Sequence, residues 1–185
     1  MSRTLAVLLI ALSLACGKRD PFDEAVIAKD LKARTAQDLY EKGETFHYDP
    51  PASARVTEAQ AESFITTLKL AARIRSVADR QFGDQVDRTD LTQGRRAQFT
   101  DAMAALGSLR AYATSELRAA LSLGFNPKEE EWIAKQIRTA SAALDQLDRL
   151  DDDAAARWKE AQDPALLANI DLVRRHREEL KRWMP

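Results

Sequence analysis

The chain has one cysteine, Cys16, and two histidines, His47 and His176. These residues set most of what chemistry is open to it. A single thiol cannot form an intramolecular disulfide and cannot make a paired-cysteine metal site. His47 and His176 fall on different expected elements, and no His-Glu-x-x-His spacing occurs. Neither structural nor catalytic zinc is expected. Met103 and His176 could in principle ligate a haem inside a bundle. No Cys-x-x-Cys-His accompanies them, so Met103 reads as core filler. Asp151, Asp152 and Asp153 lack the alternating ligands, glycine and closing glutamate of a calcium loop. They read as helix-capping residues. No Gly-x-Ser-x-Gly motif is present. No catalytic residue, metal or cofactor is expected, and the chain is not read as an enzyme.

The setting of Cys16 is more informative. Arg3 precedes an apolar run from Leu5 to Leu12, and Ser13-Leu14-Ala15 lead to the cysteine. A spanning helix needs about 20 apolar residues. This run is shorter and stops at Gly17-Lys18-Arg19-Asp20. The stretch resembles the signal peptide and lipobox of bacterial lipoproteins, with Ala15 as the small residue at the cleavage point. The resemblance implies removal of residues 1–15, a diacylglycerol thioether on Cys16 and acylation of the new amino terminus. More than one acyl chain gives stable membrane attachment, where a single chain does not. In Gram-negative lipoproteins of this kind, a residue other than Asp after the cysteine leans toward the outer membrane. Gly17 would therefore place the domain on the periplasmic face of that membrane. Residues 1–15 are read as leader, 16–20 as lipidated cysteine and tether, and 21–185 as one domain.

That domain is long enough to bury a core without metals or disulfides. The chain has 28 Lys+Arg against 29 Asp+Glu, a balance that gives no electrostatic case for nucleic acid. Gly and Pro are scarce, six each, which favours helix. The expectation is an all-α antiparallel bundle of four to six helices.

Asp20-Pro21 reads as a cap followed by proline in the first turn, opening a helix to Lys42 that Gly43 ends. Residues 43–56, with Pro50-Pro51, form the one long irregular segment. Thr57 and Gln60 make a capping box. A central helix follows, with Phe64, Ile65, Leu68, Ala71 and Phe82 on a broad apolar face, ending near Phe82-Gly83. Asp90 to Gln93 offers another box, opening a helix to Leu123 with Phe99, Met103, Leu106, Leu117 and Leu121 in a stripe. Gly124 suits a left-handed cap. Asn126-Pro127 opens the next helix, with Glu129 closing its box. Ile133, Ile137, Ala140, Leu144 and Leu147 form its stripe. Residues 128–162 fit either one helix or two, with the aspartate triplet marking the break. Asp163-Pro164 opens the last helix. Its basic cluster, Arg174 to Arg182, is interrupted by Glu178 and Glu179 and reads as a salt-bridged, solvated face.

Two places could carry recognition. Phe46, His47 and Tyr48 are a candidate interaction loop, since binding residues concentrate on ordered loops. Trp132 and Trp183 sit beside their apolar stripes and are a candidate interaction surface. Val56-Thr57-Glu58-Ala59-Gln60 resembles the Leu-Thr-x-x-Gln motif of the Spy/CpxP periplasmic chaperones, matching at Thr57 and Gln60. The leading reading is a membrane-anchored envelope lipoprotein that works by contact with a protein partner or in envelope assembly. A chaperone-like holdase, which needs a concave apolar surface, is one alternative. A small-ligand-binding bundle, which needs a cavity with polar groups among apolar ones, is another.

Overall fold

The computed structural model describes residues 20–87 and 105–184, with the backbone alone for 82–87. Every regular element among them is a helix. In chain order these are α1 Glu24–Ala33, α2 Ala36–Glu44, α3 Glu58–Asp87, α4 105–113, α5 Ser115–Leu123, α6 Pro127–Leu147, α7 Asp152–Glu160, α8 Pro164–Arg175 and α9 Arg177–Trp183. The fold class is all-α as expected. The expected four to six helices are not: nine lie among the described residues.

The difference has a local cause at each break. Arg34 is extended, with φ −120° and ψ 127°, and Thr35 starts α2 through a reciprocal box with Asp38. The Thr35 hydroxyl accepts from the Asp38 amide at 3.2 Å, and the Asp38 carboxylate accepts from the Thr35 amide at 2.8 Å. At Thr114, φ −105° and ψ 2°, the Thr114 hydroxyl donates to the Arg110 carbonyl at 2.8 Å. The Ser115 hydroxyl donates to the Tyr112 carbonyl at 2.9 Å. Back-bonding of this kind bends helices. His176, φ −100° and ψ 12°, separates α8 from α9, and its imidazole is tied to Glu58 on α3. Asp148 closes α6 and Asp151 caps α7, its carboxylate accepting from the Ala154 amide at 2.8 Å. Residues 128–162 are therefore two helices.

Several helix ends also differ from the sequence reading. Asp20 caps a turn, and α1 opens at Glu24 under the Asp23 cap. Gly43 lies inside α2, which runs on to Glu44. An added Cβ there would come 3.3 Å from Leu117 Cδ1, so this glycine permits a close approach of α2 and α5. The central helix passes through Gly83 to Asp87. A helical glycine costs about 1 kcal/mol but does not stop a helix by itself. Gly124 does end one, in the left-handed conformation at φ 76°. Asn126 caps α6 as expected, but Glu129 does not close a box; its carboxylate accepts from Gln60 on α3 at 2.7 Å. The Thr57–Gln60 box and the Asp163-Pro164 start are both present. The side chain of Phe82, the box at Asp90 to Gln93, and Phe99 and Met103 lie outside the described residues.

α3 is the shared wall of two cores. Its first half supplies Ala61, Phe64, Ile65 and Leu68 to a core completed by α6, α8 and α9. Its second half supplies Leu70, Ala71, Ile74 and Val77 to a smaller core with Ile27 of α1 and Ala119 of α5. This is why its apolar face is broad. The basic C-terminal region is tied mainly to other helices. Arg175 bonds to Glu58 at 2.9 Å, Arg177 to Asp148 at 2.8 Å, and Glu179 accepts from Lys69 at 2.7 Å.

Candidate functional site

The loop after α2 is braced along its length. The Asn126 side chain donates to the His47 carbonyl at 2.8 Å. The Tyr48 ring lies 5.7 Å from Trp132, tilted by 50°, and its hydroxyl accepts from Gln60 at 3.2 Å. Asn169 of α8 holds the far end through Ala54 and Val56. Two places nominated separately from sequence, Tyr48 and Trp132, thus meet. Phe46 and Tyr48 are half-buried, while the His47 side chain is 83% exposed and pairs with Asp49 at 2.9 Å. Trp132 and Trp183 are both half-buried against the larger core. The Arg182 guanidinium sits 5.2 Å over the Trp183 ring. Cys16 lies outside the described residues.

A second place was not nominated from sequence. A half-open groove of about 400 Å³ runs between α2, α3, α5 and α6. Phe64, Leu117, Ala120 and Ala134 supply apolar wall, and Tyr40, Glu116, Lys128, Glu131 and Arg138 stand around it. Glu130 lies in this groove at 7% exposure. It is there because α6 continues its own apolar stripe backwards: Glu130 is one turn before Ile133 and Ala134. One carboxylate oxygen accepts from Ser63 at 3.0 Å. The other, Oε2, has no hydrogen-bond partner among the described residues, nor has the buried Thr67 hydroxyl beside it.

Burial pushes the Glu130 carboxyl up to about 7 from the usual 4.5, with the Glu129 charge adding to the shift and the Ser63 and Thr67 hydroxyls opposing it. Lys128 does not neutralise it. That ammonium is bonded to Glu44 at 2.8 Å, which holds its own titration above the ordinary value. The groove wall thus covers a buried carboxyl raised to about 7, with the Thr67 hydroxyl beside it and both shielded from solvent. The sequence carried only part of the signal, an acid in register with an apolar stripe; that it faces Ser63 and Thr67 follows from the packing of α6 on α3.

Among the described residues, no group of three or more His, Cys, Asp and Glu side chains is arranged to hold a metal ion. No described helix is long and apolar enough to cross a membrane. Comparison of the chain with family models, with curated proteins and with solved structures found no match in any of the three.

Proposed function

We propose that this chain is a bacterial envelope lipoprotein, held at a membrane through acyl groups on Cys16, whose helical domain acts by binding another envelope protein. One observation carries the anchor: the short apolar run that ends in Ala15-Cys16. Its length suits a cleaved leader. The first helix opens at Glu24, eight residues after Cys16. A tether that short keeps the domain against the lipid surface. In a Gram-negative cell, Gly17 favours the periplasmic face of the outer membrane. The partner-binding part of the reading draws on the segment after α2. Hydrogen bonds from Asn126 and Asn169 fix its backbone, one from Gln60 holds the Tyr48 hydroxyl, and His47 and Asp49 are exposed on it. An ordered loop with exposed side chains suits recognition because little ordering entropy remains to be lost on binding.

The experiment has two arms. Cys16→Ser should move the protein from the membrane fraction to the soluble one and abolish incorporation of labelled palmitate. Retention in the membrane without label would refute the anchor. A photo-crosslinking residue at position 47 of the full chain should give a discrete adduct in cells. A control at exposed Lys159 of α7 should not. Equal adducts at both positions would refute the loop as the contact.

A further inference from the structure

We propose that the outward face of α1, with Phe22 in front of it and Lys29 and Lys32 along it, lies against the headgroups of anionic phospholipids and sets one orientation of the domain on its membrane. This rests on the anchor at Cys16 and adds to it which face meets the lipid.

Reach limits the choice of face. Phe22 is six positions after Cys16. A chain spans at most about 3.6 Å per residue, so the two Cα atoms lie within about 22 Å whatever path the tether takes. A folded domain of this length is about 40 Å across, so only the end that carries α1 is held close to the lipid. α1 opens two residues after Phe22 and runs for ten residues, about 15 Å. Ile27 turns inward to the smaller core. Ala25, Lys29 and Lys32 follow one another at spacings of four and three, share the opposite face, and are exposed. Phe22, in the turn before the helix, is 36% exposed and is the first large apolar side chain after the tether. An exposed ring beside lysines suits the boundary between water and lipid, where the ring meets acyl chain and the ammonium groups meet phosphate.

Charge selects the kind of lipid. Glu24 pairs with Arg73 at 3.3 Å and Arg80 at 3.0 Å, both on α3. Asp30 is tied to Arg34, and to Arg118 at 2.8 Å. Each of these carboxylates is outnumbered by two guanidiniums. Asp20 and Asp23 accept from the Phe22 and Ala25 amides, at 2.9 Å and 2.8 Å. Lys29 and Lys32 have no ion-pair partner among the described residues. Lys18 and Arg19 add two more cations in the tether. The end of the domain nearest the anchor is therefore basic, although the chain as a whole carries a net charge of −1. A basic patch held at a bilayer gains from anionic headgroups and not from zwitterionic ones.

The test uses the lipidated full-length protein in vesicles of phosphatidylcholine and phosphatidylglycerol that carry a nitroxide on some headgroups. Cys16 is the only cysteine, and as a thioether it leaves no free thiol. One cysteine introduced on the surface can then be labelled alone with a nitrobenzoxadiazole fluorophore. The two positions are Ala25→Cys on α1 and Ala156→Cys on α7, which packs on the larger core. The label at position 25 should be quenched several-fold more strongly than the label at 156. Adding Lys29→Gln and Lys32→Gln should lower the ratio of docked to undocked protein about fivefold per lysine, read as lost quenching at 25. Phosphatidylcholine alone should have a similar effect. Phe22→Ser should weaken docking several-fold in both kinds of vesicle. In all of these the protein should still float with the vesicles, because the acyl chains are untouched. Equal quenching at 25 and 156 in floating protein would overturn the orientation and leave the anchor standing. Quenching at 25 that is indifferent to both lysines and to phosphatidylglycerol would overturn the anionic headgroup as the contact. Protein that does not float would overturn the anchor, and this orientation with it.

Discussion

Asn169 of α8 holds Val56 across 113 positions of the sequence. Its side-chain oxygen accepts from the Val56 amide at 2.9 Å, and its nitrogen donates to the Ala54 carbonyl at 3.0 Å. One amide side chain, 2% exposed, thereby fixes the end of the loop before α3 begins. Asn169→Ala leaves a buried backbone N–H unpaired, so it should cost about 2 kcal/mol in urea denaturation. The Val56 amide should lose hydrogen-exchange protection more than the amides of α6. Equal loss in both would mean the side chain supports the whole core instead of the loop.

Arg118 is the other buried polar tie. It bonds the Asp30 carboxylate at 2.8 Å, the Arg34 carbonyl at 2.8 Å and the Thr114 hydroxyl at 3.1 Å. It therefore joins the end of α1 to α5 across the break at Arg34. Arg118→Met keeps the aliphatic stem but unpairs the Arg34 carbonyl and one Asp30 oxygen, while the other Asp30 oxygen keeps its bond from Arg34. The expected loss is about 3 kcal/mol, as for other broken buried pairs. Asp30→Asn should cost less, because the two carbonyl bonds of Arg34 and Asp30 to Arg118 remain. Thermal melts of the two variants check the order.

The stability of the protein should fall on the alkaline side because of Glu130. Its native value, raised to about 7, exceeds the unfolded value near 4.5. Between those values the native state keeps a proton that the unfolded state has released, so stability falls as pH rises. The loss is about 3 kcal/mol at most, and less where water enters the groove. The charged and titratable groups around this carboxyl are Tyr40 and Glu44 from α2, Glu116 from α5, and Lys128, Glu129, Glu131 and Arg138 from α6. Glu130→Gln should be more stable than the wild type by about 2 kcal/mol near pH 8, with the gap closing near pH 4. A gap of constant size across that range would mean that Glu130 stays ionised.

Acid acts on a different group. The Glu58 carboxyl is held below its usual value, first by the Arg175 guanidinium and then by His176. A depressed carboxylate stabilises the native state above its unfolded value, and that contribution is lost as pH falls through the native one. Glu58→Gln should therefore flatten the acid limb of the stability profile and leave the alkaline limb unchanged. Urea midpoints measured from about pH 3 to pH 8 separate the two limbs.

Gly43→Ala tests the closeness of α2 and α5. The added methyl would sit 3.3 Å from Leu117 Cδ1, the far end of a half-buried side chain that borders the groove. Leu117 can turn away, so the helix-propensity gain of about 1 kcal/mol should dominate. A net gain of about 0.5 kcal/mol is expected in a thermal melt. Gly43→Val, too bulky to be met by one rotamer change, should destabilise.

The sequence by itself determined the kind of element and most of its caps. Thr57 with Gln60, Asn126 with Pro127, Gly124 and Asp163 with Pro164 act within a few residues of themselves. Their effect is local stereochemistry, so the residue types suffice. The broad apolar face of α3 is likewise visible in the spacing of its own residues. What the sequence did not determine is where a long periodic stretch bends. The breaks at Arg34, Thr114 and His176 carry no glycine or proline. Those at Arg34 and His176 coincide with partners far along the chain: Arg118 takes the Arg34 carbonyl, and Glu58 holds His176. Nor did it determine the groove. Glu130, Ser63 and Thr67 are ordinary polar residues on their own helices. Packing α6 against α3 makes one of them a buried acid with an unpartnered oxygen. Desolvation depends on every neighbour at once, which only the tertiary structure sets.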